Sequence, residues 1–277
     1  MIQKCGVTDP LPLRGCPPSQ GGHSDIVPLT KGDSRGAKRP AGGRSRRTAE
    51  FVAFISAACA ISIAFFLKAF YSQAGASQLL WILAPSAWLA RFIGGIDLVY
   101  EQGAGFISHT HHLVVGTACA GVNFLIICFL CLYFSYARHF RKKMRWLVVA
   151  LLISYSATIA ANGLRIFIAA HLWNNDTYVA WITPEDMHRL AGTVIYYVSL
   201  LALYFVVQSR VGTRSHGMAP LMWYLGISLG VPLAGRVVAQ GTPGYEAHAA
   251  WVMVVVLLLT WAIVLPSKLR NRIHLRP

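Results

Sequence analysis

Residues 146–170 read WLVVALLISYSATIAANGLRIFIAA, twenty-five residues in which Arg165 is the sole charged side chain. About 20 apolar residues suffice to cross a bilayer as a helix, so this stretch predicts a membrane span. Residues 51–71, 113–134, 190–208 and 249–266 repeat the pattern, and 219–236 is a weaker sixth. The whole chain of 277 residues is 55% hydrophobic and only 13% charged, against about 25% charged in a soluble domain. The expectation is an all-α, polytopic membrane bundle of about six spans.

Basic residues set the predicted topology. The net charge is +15, but it is not spread as a nucleic-acid surface would need. Basic residues crowd into the first 47 residues, the stretch 138–145, Arg210 and Arg214, and the end of the chain at Lys268, Arg270, Arg272 and Arg276. These are alternate connections, as expected when Lys and Arg stay in the cytoplasm. Both termini are then cytoplasmic, the membrane is the cytoplasmic (inner) one, and no nucleic-acid partner is expected. Residues 1–50 read as a disordered basic tail, 51–266 as the membrane domain and 267–277 as a second basic tail; the first span serves as an uncleaved signal-anchor. Asp97, Glu101, Asp176, Glu185, Asp186 and Glu246 all fall on the outer side. Residues 79–96 are apolar too, yet a crossing there would turn the basic 138–145 loop outward. They are therefore expected to form a re-entrant or interfacial helix.

Polar groups inside spans are costly and point to function. Cys119, Arg165 and His188 are predicted near the outer ends of three different spans, the first two about 8–9 Å deep at 1.5 Å per residue. A thiolate is a nucleophile, an imidazole can take its proton and return it to a leaving amine, and a guanidinium can hold an oxyanion. That trio suits acyl transfer through a thioester. Singly, each has a plainer reading: a small core residue, an arginine snorkelling to the interface, a helix cap. Asn162 stands three residues before Arg165, on its helix face, and is expected to orient the guanidinium. Gly121 would let a substrate backbone approach, and Asn123, one turn below Cys119, would hydrogen-bond in the cleft or join helices.

Three stretches carry a resemblance: Ala118-Cys119-Ala120-Gly121-Val122-Asn123-Phe124, Asn162-Gly163-Leu164-Arg165-Ile166 and His188-Arg189-Leu190-Ala191-Gly192. In this order they are similar to the A-C-S-G, N-x-x-R and H-x-x-x-G motifs of the exosortase/archaeosortase membrane transpeptidases, over roughly residues 51–210. The resemblance implies Cys119 as nucleophile, Arg165 as oxyanion or thiolate partner and His188 as acid–base. It implies substrates too: exported proteins with a C-terminal sorting signal made of a short motif, a transmembrane helix and a basic cluster, whose new carboxyl end passes to an envelope acceptor. Ala120 stands where many members have Ser. The Val-Asn-Phe continuation resembles a divergent branch called exosortase K.

Rival chemistries are less well served. His109, His111 and His112 cluster before the second span but lack a carboxylate or Cys at a familiar ligand spacing, so no metal is expected, and no other cofactor. Cys128 and Cys131 have redox spacing but lie where a thiolate is very costly; with Cys59 they read as packing. Cys5 and Cys16 should be reduced thiols in the cytoplasm. A transporter is the alternative class, though polar residues do not continue across the bilayer, and a non-enzymatic envelope-assembly protein is another.

Overall fold

The computed structural model describes residues 42–174, 184–212, 218–230, 233 and 249–262; of these, side chains at 42–47, 172–174 and 184–189 are outside the description. The architecture is a helical membrane bundle. Helices α1 (Gly42–Gln73), α2 (Leu80–Gly94), α3 (Val122–Tyr136), α4 (Lys143–Asn174), α5 (Pro184–Val211) and α6 (Ala219–Leu225) follow in order, α6 running on into a π-helical turn at Gly226–Gly230. Helix α7 covers Ala249–Ala262.

Among the described residues, four helical segments are long and apolar enough to cross a membrane: Thr48–Gln73, Thr117–His139, Lys143–His171 and Leu190–Val211. They match the first four predicted spans. The predicted span 219–236 is helical over its described part, 219–230, and α7 supplies 249–262 of the span 249–266; apart from Leu233, the rest of both lies outside the described residues. The predicted tail 1–50 is described only from residue 42, where α1 has already begun.

Helix α3 is the axis of the bundle. It is apolar on every side, and a helix of that kind must be surrounded: Phe124, Leu125, Phe129, Leu132, Tyr133 and Tyr136 are all buried. Tyrosine hydroxyls, each needing a partner once buried, stitch the neighbours to it and to one another. Tyr133 donates to Ser56 Oγ on α1 (2.7 Å), Tyr136 to the Tyr204 carbonyl on α5 (3.0 Å) and Tyr155 of α4 to the Trp81 carbonyl on α2 (2.6 Å). Tyr197 of α5 hydrogen-bonds Thr260 of α7. Helix α1 is the loosest wall. Only 17% of its apolar window is buried, against 67% for Thr117–His139, and its inward face is the small-residue row Ser56, Ala60, Ala64, which lets helices approach closely.

Residues 79–96 are the short helix α2, fifteen residues long. It lies along α4, with Trp81 beside Tyr155 and Gly94 so close to Phe167 that an added Cβ would meet its ring at 2.5 Å. Since Tyr155 is twelve residues into α4, about 18 Å at 1.5 Å per residue, α2 starts partway along the bundle and rises to one end. The expected short apolar helix is present; at fifteen residues it is shorter than the four long apolar helices.

Two features depart from the sequence reading. Beyond α2 the chain forms a small antiparallel sheet, β1 (Val99–Glu101), β2 (Gly105–Ser108) and β3 (Leu113–Val115), in the order β1-β2-β3. The second predicted span therefore does not begin as helix at 113. Residues 113–115 pair with β2, Thr117–Cys119 make a 3-10 turn, and α3 starts only at Val122. Gly121 has φ +72°, a left-handed conformation that only Gly adopts cheaply, and it separates the turn from the helix. Cys119 is thus not six residues inside a helix; it sits on the turn that leads into one.

Candidate functional site

The site forms at the sheet end of the bundle, where α3 begins and where α4 and α5 pass it. The Thr117–Cys119 turn is closed by two backbone bonds, Cys119 N–H to the Gly116 carbonyl (2.9 Å) and Ala120 N–H to Thr117 (3.0 Å). From α1, Tyr71 donates to the Thr117 carbonyl (3.3 Å). The Cys119 thiol is half-buried and free of any disulfide. Immediately after it, the α3 N-terminus has no side-chain cap, so its first N–H groups leave a partial positive charge beside the turn.

A chain of hydrogen bonds joins this turn to Arg165. Asn162 Nδ2 donates to the Cys119 carbonyl (2.6 Å), Tyr196 Oη donates to Asn162 Oδ1 (2.9 Å), and Arg165 Nη1 donates to Tyr196 Oη (3.1 Å). Asn162 and Arg165 share a face of α4 because they are three residues apart. The expectation that Asn162 orients Arg165 is modified: it acts through Tyr196, and its own amide holds the cysteine backbone. The Arg165 guanidinium also lies 5.3 Å over the Tyr196 ring, which stacks on Phe124 (4.6 Å, 12°). Cys119 is an electrostatic neighbour of this guanidinium.

Two glycines make room. A Cβ on Gly192 would lie 2.8 Å from Arg165 Nε and 3.3 Å from its Cζ, so only a glycine lets the guanidinium rest against α5. Gly121 would carry a Cβ 3.3 Å from both Thr158 and Tyr196. Gly121 thus has a backbone role, its positive φ, and it also lines the cavity described below, where the expected approach of a substrate backbone would take place. His188 is the fifth residue of α5, one helical turn before Gly192; its side chain is outside the described residues. Asn123, expected to bond within the cleft, accepts from Lys68 Nζ of α1 (2.9 Å).

These groups border a cavity of about 610 Å³. Ala118 and Gly121, close to Cys119 in the chain, line its wall while Cys119 itself does not, and Lys68, Asn123, Arg165 and Tyr196 give it a polar end; Ile61, Phe65, Leu130 and Val252 line the remainder. Tyr196 and Lys68 are the members that sequence reading missed. Both left a signal: Tyr196 follows Gly192 by one turn, and Lys68 is a charge inside the predicted span 51–71.

The histidine cluster does something else. His111 Nδ1 lies 3.1 Å from Ser108 Oγ and 3.4 Å from Asp97 Oδ1, and His109 Nε2 is 3.4 Å from Glu101. Ser108 and Thr110 donate to the two Asp97 oxygens at 2.6 and 2.7 Å. These hydroxyls, with a smaller contribution from His111, hold the Asp97 carboxyl well below the usual carboxylate range. The cluster ties the sheet together. Among the described residues no group of three His, Cys, Asp or Glu is placed to hold a metal ion. Cys128 and Cys131 are both buried in the core around α3.

Comparison with known proteins gives one match. A family model described as transmembrane exosortase matches residues 44–205, which takes in Cys119, Asn162, Arg165, His188, Gly192 and Tyr196. No curated protein matches, and no solved structure does. The matched region covers more than half of the chain, and includes three of the four long apolar helices whole and most of the fourth. This multi-pass, membrane-embedded chain belongs to the exosortase family.

Proposed function

We propose that the protein is a membrane cysteine endopeptidase and transpeptidase that removes C-terminal sorting signals from exported proteins. The observation that carries the reading is the continuous hydrogen-bonded path from the Cys119 backbone through Asn162 and Tyr196 to Arg165, beside a cavity. A structural arginine would need no such tie to a half-buried cysteine on a turn.

In this reading the Cys119 thiol gives its proton to His188, and the thiolate attacks the scissile carbonyl. The carbonyl oxygen takes the electron pair and is stabilised by Arg165, held in place by Tyr196 and by the close approach that Gly192 permits. Collapse of the tetrahedral intermediate expels the amine of the C-terminal fragment, which receives the proton from His188. The remaining thioester passes its acyl group to water or to an amine of an envelope acceptor. No metal or other cofactor is needed for these steps. The sheet end faces outward and the basic 138–145 end faces the cytoplasm, following the distribution of Lys and Arg. The membrane is the cytoplasmic (inner) one, and the substrates are exported proteins whose C-terminal helix enters the same bilayer.

The test is a proteomic comparison of C-terminal peptides from membranes of the native host, wild type against Cys119→Ala. A set of proteins that keeps an apolar helix and basic tail only in the variant is the expected result. If Cys119→Ala inserts normally and no such set accumulates, the protease reading fails, and solute-uptake assays take up the transporter alternative.

A further inference from the structure

Tyr71 of α1 holds its partner loosely. Its hydroxyl donates to the Thr117 carbonyl at 3.3 Å, whereas Tyr133, Tyr136 and Tyr155 stitch the bundle with bonds of 2.7, 3.0 and 2.6 Å. Hydroxyl donors usually lie about 2.7–2.8 Å from their acceptors, so the Tyr71 bond is a weak one. The carbonyl it reaches is already served, because the Ala120 N–H donates to it at 3.0 Å and closes the turn. The hydroxyl can therefore leave Thr117 without stranding an acceptor, the costly part of breaking a hydrogen bond.

Its surroundings offer that proton a stronger acceptor. Tyr71 lines the cavity, which Cys119 does not, and it also bonds to the turn that carries Cys119. It thus joins the two. Cys119, Arg165 and Tyr196 are all electrostatic neighbours of its hydroxyl. The ring itself is held in place: Lys68 Nζ, bonded to Asn123, lies 5.5 Å over it, a cation–π contact. That contact fixes the ring and leaves the hydroxyl proton free to rotate. A hydrogen bond to an ionised acceptor is roughly twice as strong as one between neutral groups. Once Cys119 carries a charge, the proton gains by turning from the carbonyl to the sulfur.

We propose that Tyr71 is a further catalytic residue of this site, whose hydroxyl hydrogen-bonds the Cys119 thiolate and stabilises it before attack. The phenol keeps its own proton throughout. The thiol proton leaves to His188, as in the reaction above, and the only bond of Tyr71 that changes is the hydrogen bond that moves from the Thr117 carbonyl to Sγ. This deepens the proposed reaction and rests on Cys119 being its nucleophile. The other charged or titratable groups around this pair are Arg165 on α4, Tyr196 on α5, Lys68 over the Tyr71 ring and the His188 of the proposed reaction. All of them are kept in the variants below, so their effects are common to every protein compared.

The experiment measures alkylation of Cys119 by iodoacetamide in the full-length protein in lipid nanodiscs, read on the Cys119 peptide by mass spectrometry, at about pH 7 and about pH 9.5. A bond that raises the thiolate population about tenfold also lowers its intrinsic nucleophilicity, so the net gain in rate at the lower pH is about threefold. Tyr71→Phe should therefore react about threefold more slowly than wild type at the lower pH. At the higher pH, where a thiol ionises without help, it should react at least as fast. Tyr133→Phe removes another tyrosine bond of α1 and leaves the Cys119 turn alone, so it should match wild type at both. An unchanged Tyr71→Phe rate at the lower pH overturns the proposal. So does a fall by the same factor at both, which would make Tyr71 a control on access alone. A Tyr133→Phe protein that copies the Tyr71→Phe pattern overturns it too, since loosening of α1 would then be the cause. The assay uses no substrate: the thiolate bond is judged here and the protease reading by the proteomic comparison, and either can fail while the other stands.

Discussion

Tyr196→Phe is the sharpest probe of the site, because it removes one oxygen and leaves the ring. The stack on Phe124 at 4.6 Å survives, while two hydrogen bonds are lost: the one received from Arg165 and the one given to Asn162. Measured in water-soluble proteins, such bonds contribute about 0.5–1.5 kcal/mol, or about 1.5–3 with a charged partner. Between membrane helices they average only about 0.6 kcal/mol, with a maximum near 1.7. The membrane values apply here and give about 1–3 kcal/mol for the pair, too little to unfold a domain stabilised by about 5–15 kcal/mol. Insertion and thermal stability should therefore change little. Catalysis should change more, since a misplacement of about 1 Å can cost a hundredfold and Arg165 loses the group that fixes its direction. The assay is the rate of release of the C-terminal segment from one substrate found by the proteomic screen. We expect kcat to fall about ten- to a hundredfold with KM nearly unchanged. Asn162→Ala removes the same Tyr196–Asn162 bond, so the double variant should lose less than the two singles combined. A Tyr196→Phe enzyme within twofold of wild type would refute the positioning argument.

Other consequences follow from backbone and loop geometry. Gly192→Ala places a methyl 2.8 Å from Arg165 Nε; overpacking of this kind costs about 1–3 kcal/mol, and processing should drop at least tenfold while the protein still inserts, as a protease-protection assay would report. Gly121→Ala meets a φ of +72°, which costs about 1–2 kcal/mol for a residue with a Cβ. Labelling of Cys119 by a thiol reagent should then change in rate, because the turn must move. Arg165→Lys should restore almost none of the activity lost in Arg165→Ala, since a point charge does not replace a planar fork. For the sheet, the Asp97 carboxyl is depressed by Ser108 and Thr110. Its stabilising contribution is complete above the unfolded-state value near 3.9 and is lost as the pH falls through the lower folded-state value. Protection of residues 99–115 from hydrogen exchange that depends on Asp97, taken as wild type minus Asp97→Asn, should persist from neutral pH to about 4 and disappear below it.

The long apolar helices were legible in the sequence because hydropathy over about 20 residues is a strong signal. Residues 79–96 were legible as an apolar helix, and the structure gives them fifteen helical residues packed along α4. The sheet was not legible: its strands have three or four residues, too few to show a period. The start of α3 was misread because residues 113–121 are apolar and small, which suits a span, a strand or a turn equally; Gly116 and Gly121 were the marks of a turn. Within the site, Cys119 and Arg165 were visible as polar groups in apolar surroundings. Tyr196 was not, because a tyrosine in a span is ordinary until its hydroxyl is seen between Asn162 and Arg165.

The sparse burial of α1 bears on the order in which the molecule assembles. Chains emerge from the ribosome N-terminus first, so α1 enters the bilayer before any helix it will touch exists. Its partners, Thr117, Asn123 and Tyr133, arrive dozens of residues later. The exposed ring face of Phe51, Phe54, Phe65 and Phe66 suits a helix that waits alone in lipid, and Ser56, Ala60 and Ala64 leave little to be satisfied until docking. Made first, α1 must wait for the partners that α3 and the turn before it supply. A chain divided in the connection 74–79 should accordingly reassemble from two co-expressed pieces, with the Lys68–Asn123 and Tyr71–Thr117 bonds setting the register in which the separate helix returns.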